Sequence, residues 1–337
     1  MASASENTSA HIPVAGVRSA VNTNFMLISD YIVQELHRHL GCKLAFGISG
    51  IGISPFWTAL ARNKAIRVIH ARQESNAAFA ATEAFFALEC GAPRQVIIVF
   101  APTGPGIANA INGLMAARTE GAAILFVSGS SPCALRGRWP TQETSETSTR
   151  VSGLFDHEVS VQVAAQAPVA VHQIISFFKA RQHGVAHLSL CLDVLVQPID
   201  TLSVVEPAVS PDALVPNESG DSQLQHVREA SSPCTVNLTH IAPLLRGCNT
   251  ATDICIWVGF GARHDAAAVT ELAERLGCAV LSTPRGKGIF AESHAQYIGV
   301  TGIGGHDTVL QHMKCHRPRY IIVLGSRLGE AATAGYS

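Results

Sequence analysis

AFGISGIGISPFWTAL (45–60), IRVIHARQESNAAFAATEAFF (66–86) and QVIIVFAPTGPGIANAINGLMAARTEGAAILFVSGSSP (95–132) decide the fold of this chain. Each stretch holds a short apolar run that breaks at glycine or polar residues and passes into a helical pattern. The runs at 44–46, 68–70, 96–100 and 124–127 read as buried strands, with helices between them. Strand and helix in alternation predict a doubly wound parallel α/β sheet with its ligand loops at the strand ends.

Upstream, LISDYIVQELHRHLG (27–41) places Ile28, Ile32, Leu36 and Leu40 four apart on one helical face, with Gly41 as the stop. Residues 1–22, rich in Ser, Ala and Asn, read as a disordered lead-in to a first domain at 23–199. Downstream, a helix at 171–182 and a strand at 185–194 complete that domain. Residues 200–235 are rich in Pro, Ser and acidic residues without periodicity, and read as a linker. A second α/β domain is expected over 236–337, with strands at 254–259, 279–290 and 320–330 and a helix following GFGARH.

At 337 residues the chain suits about two domains of ~100–200 residues each. Its 47% hydrophobic and 15% charged residues exclude a disordered chain, and a net charge of −1 gives no reason to expect nucleic acid or an anionic membrane as partner. No apolar run reaches the ~18 residues of a membrane span, and the N-terminus shows no secretory core. The nine cysteines include no C-x-x-C pair and the fifteen histidines no H-E-x-x-H. Reduced thiols, a cytoplasmic location and no metal-ligating residue in this chain are therefore expected.

Three segments can carry chemistry. GISGIG (47–52) is a strand-to-helix turn of a kind common to α/β folds, and it is not the dinucleotide fingerprint. Glu74 opens an alanine-rich helix; it is either a solvent-facing residue at a favourable helix N-terminus or a buried carboxylate. A carboxylate removed from water favours its neutral form unless donors compensate. TGPG (103–106) is a sharp turn, and Asn109 and Gly113 then fall on one face of the next helix.

Taken in order, these motifs are F-G-x-x-G (Phe46, Gly47, Gly50), R-x-E (Arg72, Glu74), T-G-P-G-x-x-N-x-x-x-G-L (Thr103 to Gly106, Asn109, Gly113, Leu114) and G-x-x-P (Gly129, Pro132). The set resembles the pyrimidine-binding domain of thiamine-diphosphate enzymes of the acetolactate synthase and benzaldehyde lyase group. GVAHLSLCLDV (184–194) is similar to that family's G-P-V-H-L-S-L-P-L-D-V, with Val185 and Cys191 in place of two prolines. The second domain resembles the family's central domain through G-x-G-A, G-K-G-x-F, Y-x-G and L-G-x-R.

The resemblance implies a role for each segment. Glu74 would be the catalytic residue, hydrogen-bonding the aminopyrimidine ring of thiamine diphosphate and favouring the imino tautomer that takes the thiazolium proton. Ser49, Gly50 and Ile51 correspond to a P-G-G loop beside the cofactor, so a Cβ and a branched side chain replace bare backbone there. Gly104, Pro105, Gly106 and Asn109 would abut the pyrimidine and a neighbouring subunit. Gln142, in QET, would reach that neighbour's site, although a loop glutamine is often merely solvated. Gln73 stands where the family often has His.

The central domain holds FAD in acetolactate synthases and other nucleotides or none in relatives; Arg327 in GSRLGE leaves these open. The family's G-D-G…N motif, which binds the diphosphate through Mg²⁺, is not in the sequence; the one Gly-Asp pair is Gly220–Asp221, followed by Ser222. The expected function is thus the pyrimidine-side part of a lyase or carboligase acting on a 2-oxo acid. Mg²⁺ and its domain would come from another chain, in a homo- or hetero-oligomer, or from a missing C-terminus. The alternatives are a non-catalytic partner that pairs with a full-length relative and a nucleotide-binding module built on the second domain.

Overall fold

The computed structural model describes residues 25–89, 95–135, 153–200, 243 and 247–334. The chain divides into two compact units, the first ending at Asn217 and the second beginning at Glu218. The expected lead-in and residues 201–235 of the expected linker lie outside the described residues.

In the first unit β1 (Phe25–Leu27) runs into α1 (Ile28–Leu40), followed by β2 (Leu44–Gly47), α2 (Ser54–Arg62), β3 (Arg67–His70) and α3 (Glu74–Glu89). Next come β4 (Ile97–Ala101), α4 (Pro105–Glu120), β5 (Ala123–Ser130), β6 (His157–Val161), α5 (Ala167–Arg181), β7 (Gly184–Cys191), the one-turn α6 (Leu192–Leu195) and β8 (Pro198–Asp200). Six of the strands form one parallel sheet in the order β3-β2-β4-β5-β7-β6. All five residues of β4 are buried, as a central strand covered on both faces requires, and this is why its sequence is a continuous apolar run. Helix α1 packs against α2 and α5, and α3 packs against α4.

The helix expected at 27–41 forms as α1: Ile28, Ile32, Leu36 and Leu40 are buried, and Gly41 ends it at φ +63, its N–H bonded to the His37 carbonyl. Helix α5 starts at Ala167, four residues before the expected 171, because Pro168 occupies its first turn, where no N–H is missed. The expected strand 185–194 ends at Cys191, since the following residues turn into α6. The antiparallel pair β1–β8 has no periodic signal: each strand is three residues long.

The second unit carries β9 (Ile254–Val258), α7 (Ala266–Leu276), β10 (Ala279–Ser282), β11 (Tyr297–Val300), α8 (Asp307–His316) and β12 (Tyr320–Leu324). Its sheet is parallel throughout, in the order β11-β10-β9-β12, with Ile254, Ile256, Val258, Val280 and Phe290 in its core. The strand expected over 279–290 stops at Ser282. Pro284 begins a single 3-10 turn there, and the Thr283 hydroxyl accepts the Gly286 N–H at 3.0 Å. Helix α8 lacks a visible apolar stripe because it buries only Val309.

Candidate active site

Strand β2 has β3 on one side and β4 on the other, so the connections from β2 and β4 leave the sheet in opposite directions. Such a switch point opens a crevice at the carboxyl ends of the strands. Three segments meet there: the loop after β2, the start of α3, and the turn from β4 into α4. The loop and the turn touch where glycine leaves room. A Cβ on Gly50 would stand 2.7 Å from the Pro102 Cβ, and one on Gly52 would collide with the Thr103 hydroxyl. Gly104 holds φ +63 and ψ −103, a conformation closed to other residues, and Pro105 then opens α4.

Glu74 is the first residue of α3 and only 6% exposed. Its Oε2 accepts a hydrogen bond of 3.2 Å from the Asn109 side-chain amide, delivered from the second turn of α4. Its Oε1 faces Gly106, where an added Cβ would lie 3.3 Å from that oxygen. Among the described residues Asn109 is the side chain bonded to this carboxylate. The charge is compensated by that donor and by the N-terminus of α3. Oε1 is thus left facing the bare backbone of Gly106.

Helices α3 and α4 come together around Gly113, where a Cβ would meet the Ser75 carbonyl oxygen at 2.5 Å and the Ala78 Cβ at 2.6 Å. That close approach brings Asn109 within reach of Glu74.

The residues expected in the site do not all take equal part. Glu74, Gly106 and Asn109 converge, Gly104 precedes α4 at its cap, and Pro105 starts the helix that carries Asn109. Gly50 contacts the turn through Pro102. Ser49 is exposed, and Ile51, which opens a 3-10 turn, is 85% exposed. Gln142 lies outside the described residues. Sequence reading missed Pro102, which packs against the positions of both Gly50 and Gly106. Its place directly before TGPG was the available signal.

A second constellation has the outline of a nucleophile relay. The Ser128 Oγ lies 2.8 Å from His187 Nε2, and His187 Nδ1 lies 3.0 Å from a Glu158 carboxylate oxygen. Ser128 is 0% exposed and Phe155 stacks on the His187 ring at 4.5 Å, so no substrate reaches the hydroxyl. This is a satisfied polar network inside the core.

A family model described as "Thiamine pyrophosphate enzyme, N-terminal TPP binding domain" matches residues 26–149, and one described as "Thiamine pyrophosphate enzyme, central domain" matches residues 241–337. The acetolactate synthase isozyme 1 large subunit of Escherichia coli (strain K12) is 25% identical over 90% of this chain and 49% of its own length. The acetolactate synthase of Arthrospira platensis is 26% identical over 89% of this chain and 49% of its own. That of Bacillus subtilis (strain 168) is 31% identical over 54% of this chain and 30% of its own. The chain thus spans about half the length of the first two relatives. Among the described residues no helix is long and apolar enough to cross a membrane. With both family models placed along its two α/β units, the chain belongs to the thiamine-diphosphate enzymes of the acetolactate synthase type.

Proposed function

We propose that this chain forms the pyrimidine-side part of a thiamine-diphosphate-dependent carboligase or lyase acting on a 2-oxo acid. The groups that hold Mg²⁺ and the diphosphate are supplied from outside these 337 residues, by a further segment or another chain. The observation that carries this reading is the buried Glu74 carboxylate, oriented by Asn109 and set against the bare backbone of Gly106 at the sheet's switch point.

The residues fit such a cofactor. A flat pyrimidine needs close backbone approach on one side and a carboxyl in its plane, and Gly104, Gly106 and Glu74 offer these. When bound, thiamine diphosphate supplies the nucleophilic carbon and the electron sink for the chemistry at the 2-oxo group. Glu74 contributes by holding a proton at Oε1, and Asn109 by fixing the rotamer that aims it. Exposed Phe79 and Met115 on α3 and α4 are suited to contact with another polypeptide, which supports an oligomer.

The experiment isolates the chain from its native source with whatever polypeptide accompanies it. Consumption of pyruvate is then measured with thiamine diphosphate and Mg²⁺ present. Glu74→Gln keeps the side chain's size and is expected to lower turnover by about 10²–10⁴-fold, the usual worth of a positioned proton-transfer group. Full activity in Glu74→Gln would overturn the catalytic role. Unchanged modulation of an accompanying full-length enzyme would point instead to a non-catalytic partner.

The second unit supports a bound nucleotide, FAD being the first candidate. The carboxyl ends of β9 and β12 meet at glycine: a Cβ on Gly259 would lie 2.5 Å from the Gly325 carbonyl. Arg263 and Arg285 sit beside this point, with their guanidinium carbons 4.7 and 4.6 Å from the centre of the Phe260 ring. The visible absorption spectrum of the purified chain decides whether a flavin is carried.

A further inference from the structure

We propose that Cys133, Cys191 and Asp193 form a binding site for a soft divalent cation, of which Zn²⁺ is the type, at the carboxyl ends of β5 and β7. The two thiol sulfurs and a carboxylate oxygen lie within 4.8 Å of one another. Cys191 is the last residue of β7, Asp193 follows in α6, and Cys133 opens a single 3-10 turn just beyond β5. Their separation of 58 residues along the chain hides the cluster from any reading of local spacing.

The donor set is that of zinc: sulfur ligands at about 2.3 Å and oxygen at about 2.0 Å, tetrahedrally arranged. Tetrahedral geometry puts such ligand atoms about 3.5–3.8 Å apart, so side-chain rotations of about 1 Å close the site. Its scaffold is already tied. One Asp193 oxygen accepts the Cys133 N–H at 3.1 Å and the other accepts the Ala134 N–H at 3.5 Å. Each oxygen keeps a second lone pair for the ion. The Cys133 thiol donates to the Gln162 carbonyl at 3.2 Å, so an oxygen at the end of β6 stands beside the same sulfur. That carbonyl or a water takes the fourth position.

A metal ion binds thiols as thiolates and releases their protons. Binding then displaces one proton from each thiol and leaves Asp193 as the carboxylate. The bound ion would tie β5 to β7. Gly129, in β5, packs directly on the backbone of Gly52, so the ion also braces the loop that walls the crevice.

The test uses the full chain, reduced and stripped of metal by a chelator, with Co²⁺ as the spectroscopic probe and Zn²⁺ as competitor. One equivalent of Co²⁺ should bind with a thiolate-to-cobalt charge-transfer band in the near ultraviolet, and Zn²⁺ should abolish the band. Cys133→Ser and Cys191→Ser should each remove about half of the band and weaken binding about tenfold or more. If Cys191→Ser, at a buried position, does not fold, Cys133→Ser on its half-exposed turn decides alone. Helix α8 carries His312, Cys315 and His316 at helical spacing, so Cys315→Ser is the control and should leave the band intact. Absence of the band, or a band lost only in Cys315→Ser, overturns the proposal. So does a chain whose Cys133 and Cys191 pair as a disulfide in air and bind no Co²⁺ when reduced.

Discussion

Gly113→Ala tests whether the α3–α4 contact, rather than the sheet alone, sets the position of Glu74. The new Cβ would stand 2.5 Å from the Ser75 carbonyl oxygen, 2.6 Å from the Ala78 Cβ and 3.3 Å from the Phe79 nitrogen. Ordinary contact begins at 3.4 Å, so the first two are short by about 0.8–0.9 Å. These atoms belong to backbone or to a Cβ, and no rotamer change relieves them. Overpacking costs about 1–3 kcal/mol, and a rigid backbone contact belongs at the upper end, about 3 kcal/mol. Alanine returns about 1 kcal/mol in helix propensity. The net loss is then about 2 kcal/mol, or about 4–8 °C in melting temperature for a unit of this size.

Ser75 follows Glu74 directly, so helices forced apart also carry Glu74 away from Asn109 and Gly106. The assay is calorimetric melting of Gly113→Ala beside Asn112→Ala, an exposed position on the same helix where no such contact arises. A Gly113→Ala protein that melts at or above the wild-type temperature would refute the reasoning, because helix propensity would then outweigh the clash.

Asn109→Ala deletes the donor to Glu74. If the proposed pyruvate-consuming assembly is reconstituted, turnover should fall about tenfold with little change in melting, because water replaces part of a hydrogen bond to the carboxylate worth about 1.5–3 kcal/mol; unchanged turnover would count against the pairing. Burial, with a smaller contribution from Arg181, holds the His157 imidazole below its ordinary pKa of 6.5. The folded state therefore takes up this proton later than the unfolded state. The stability from His157 is full above about pH 6.5, drains away as pH falls below it, and levels off beneath the folded pKa. His157→Phe keeps a ring against Phe177 and removes an Nε2 that has no hydrogen-bond partner among the described residues. It should flatten the fall in melting temperature between about pH 7 and about pH 5.5; parallel slopes in the two proteins would contradict this. The Cys42 and Cys255 thiols are pushed up to about 12, chiefly by burial, and should resist alkylation in the native chain while exposed Cys315 reacts, as mass spectrometry of labelled peptides will read.

The middle of the parallel sheet was legible because β2, β4 and β5 are apolar runs that break at glycine or polar residues, whereas β3, expected to be buried, lies at the edge with exposed and half-buried residues. Helix α1 was legible because its apolar residues fall four apart. Helix α8 and the pair β1–β8 were not legible: the helix buries one residue along its length and the strands are too short to show a period. In the site, Glu74 and Asn109 each stood out separately. Their contact did not, because they stand 35 positions apart and the glycine that allows it, Gly113, reads equally well as an ordinary packing joint. The Cys133–Cys191–Asp193 cluster stayed hidden for the same reason, since strand order and not local spacing unites it.

The site is built by omission of side chains. Ala77, Ala78 and Ala81 line the buried side of α3, and Gly113 gives α4 its close approach, so a carboxylate at the start of α3 comes to rest among small groups and not in water. Gly50, Gly52, Gly104 and Gly106 keep the facing turns bare. On the proposed reading a crevice with these walls suits a flat, neutral ring: among the described residues the Glu74 carboxylate takes a hydrogen bond from the neutral Asn109 amide and faces the bare backbone of Gly106. A diphosphate brought to this point would meet a like charge in a region of low dielectric, where repulsion is poorly screened. On the proposed reading the cofactor therefore lies with its ring over Gly106 and its diphosphate directed away from Glu74. On that reading Glu74 acts on the ring without opposing the charge that anchors it, a physical reason for the diphosphate's partners to lie away from this carboxylate.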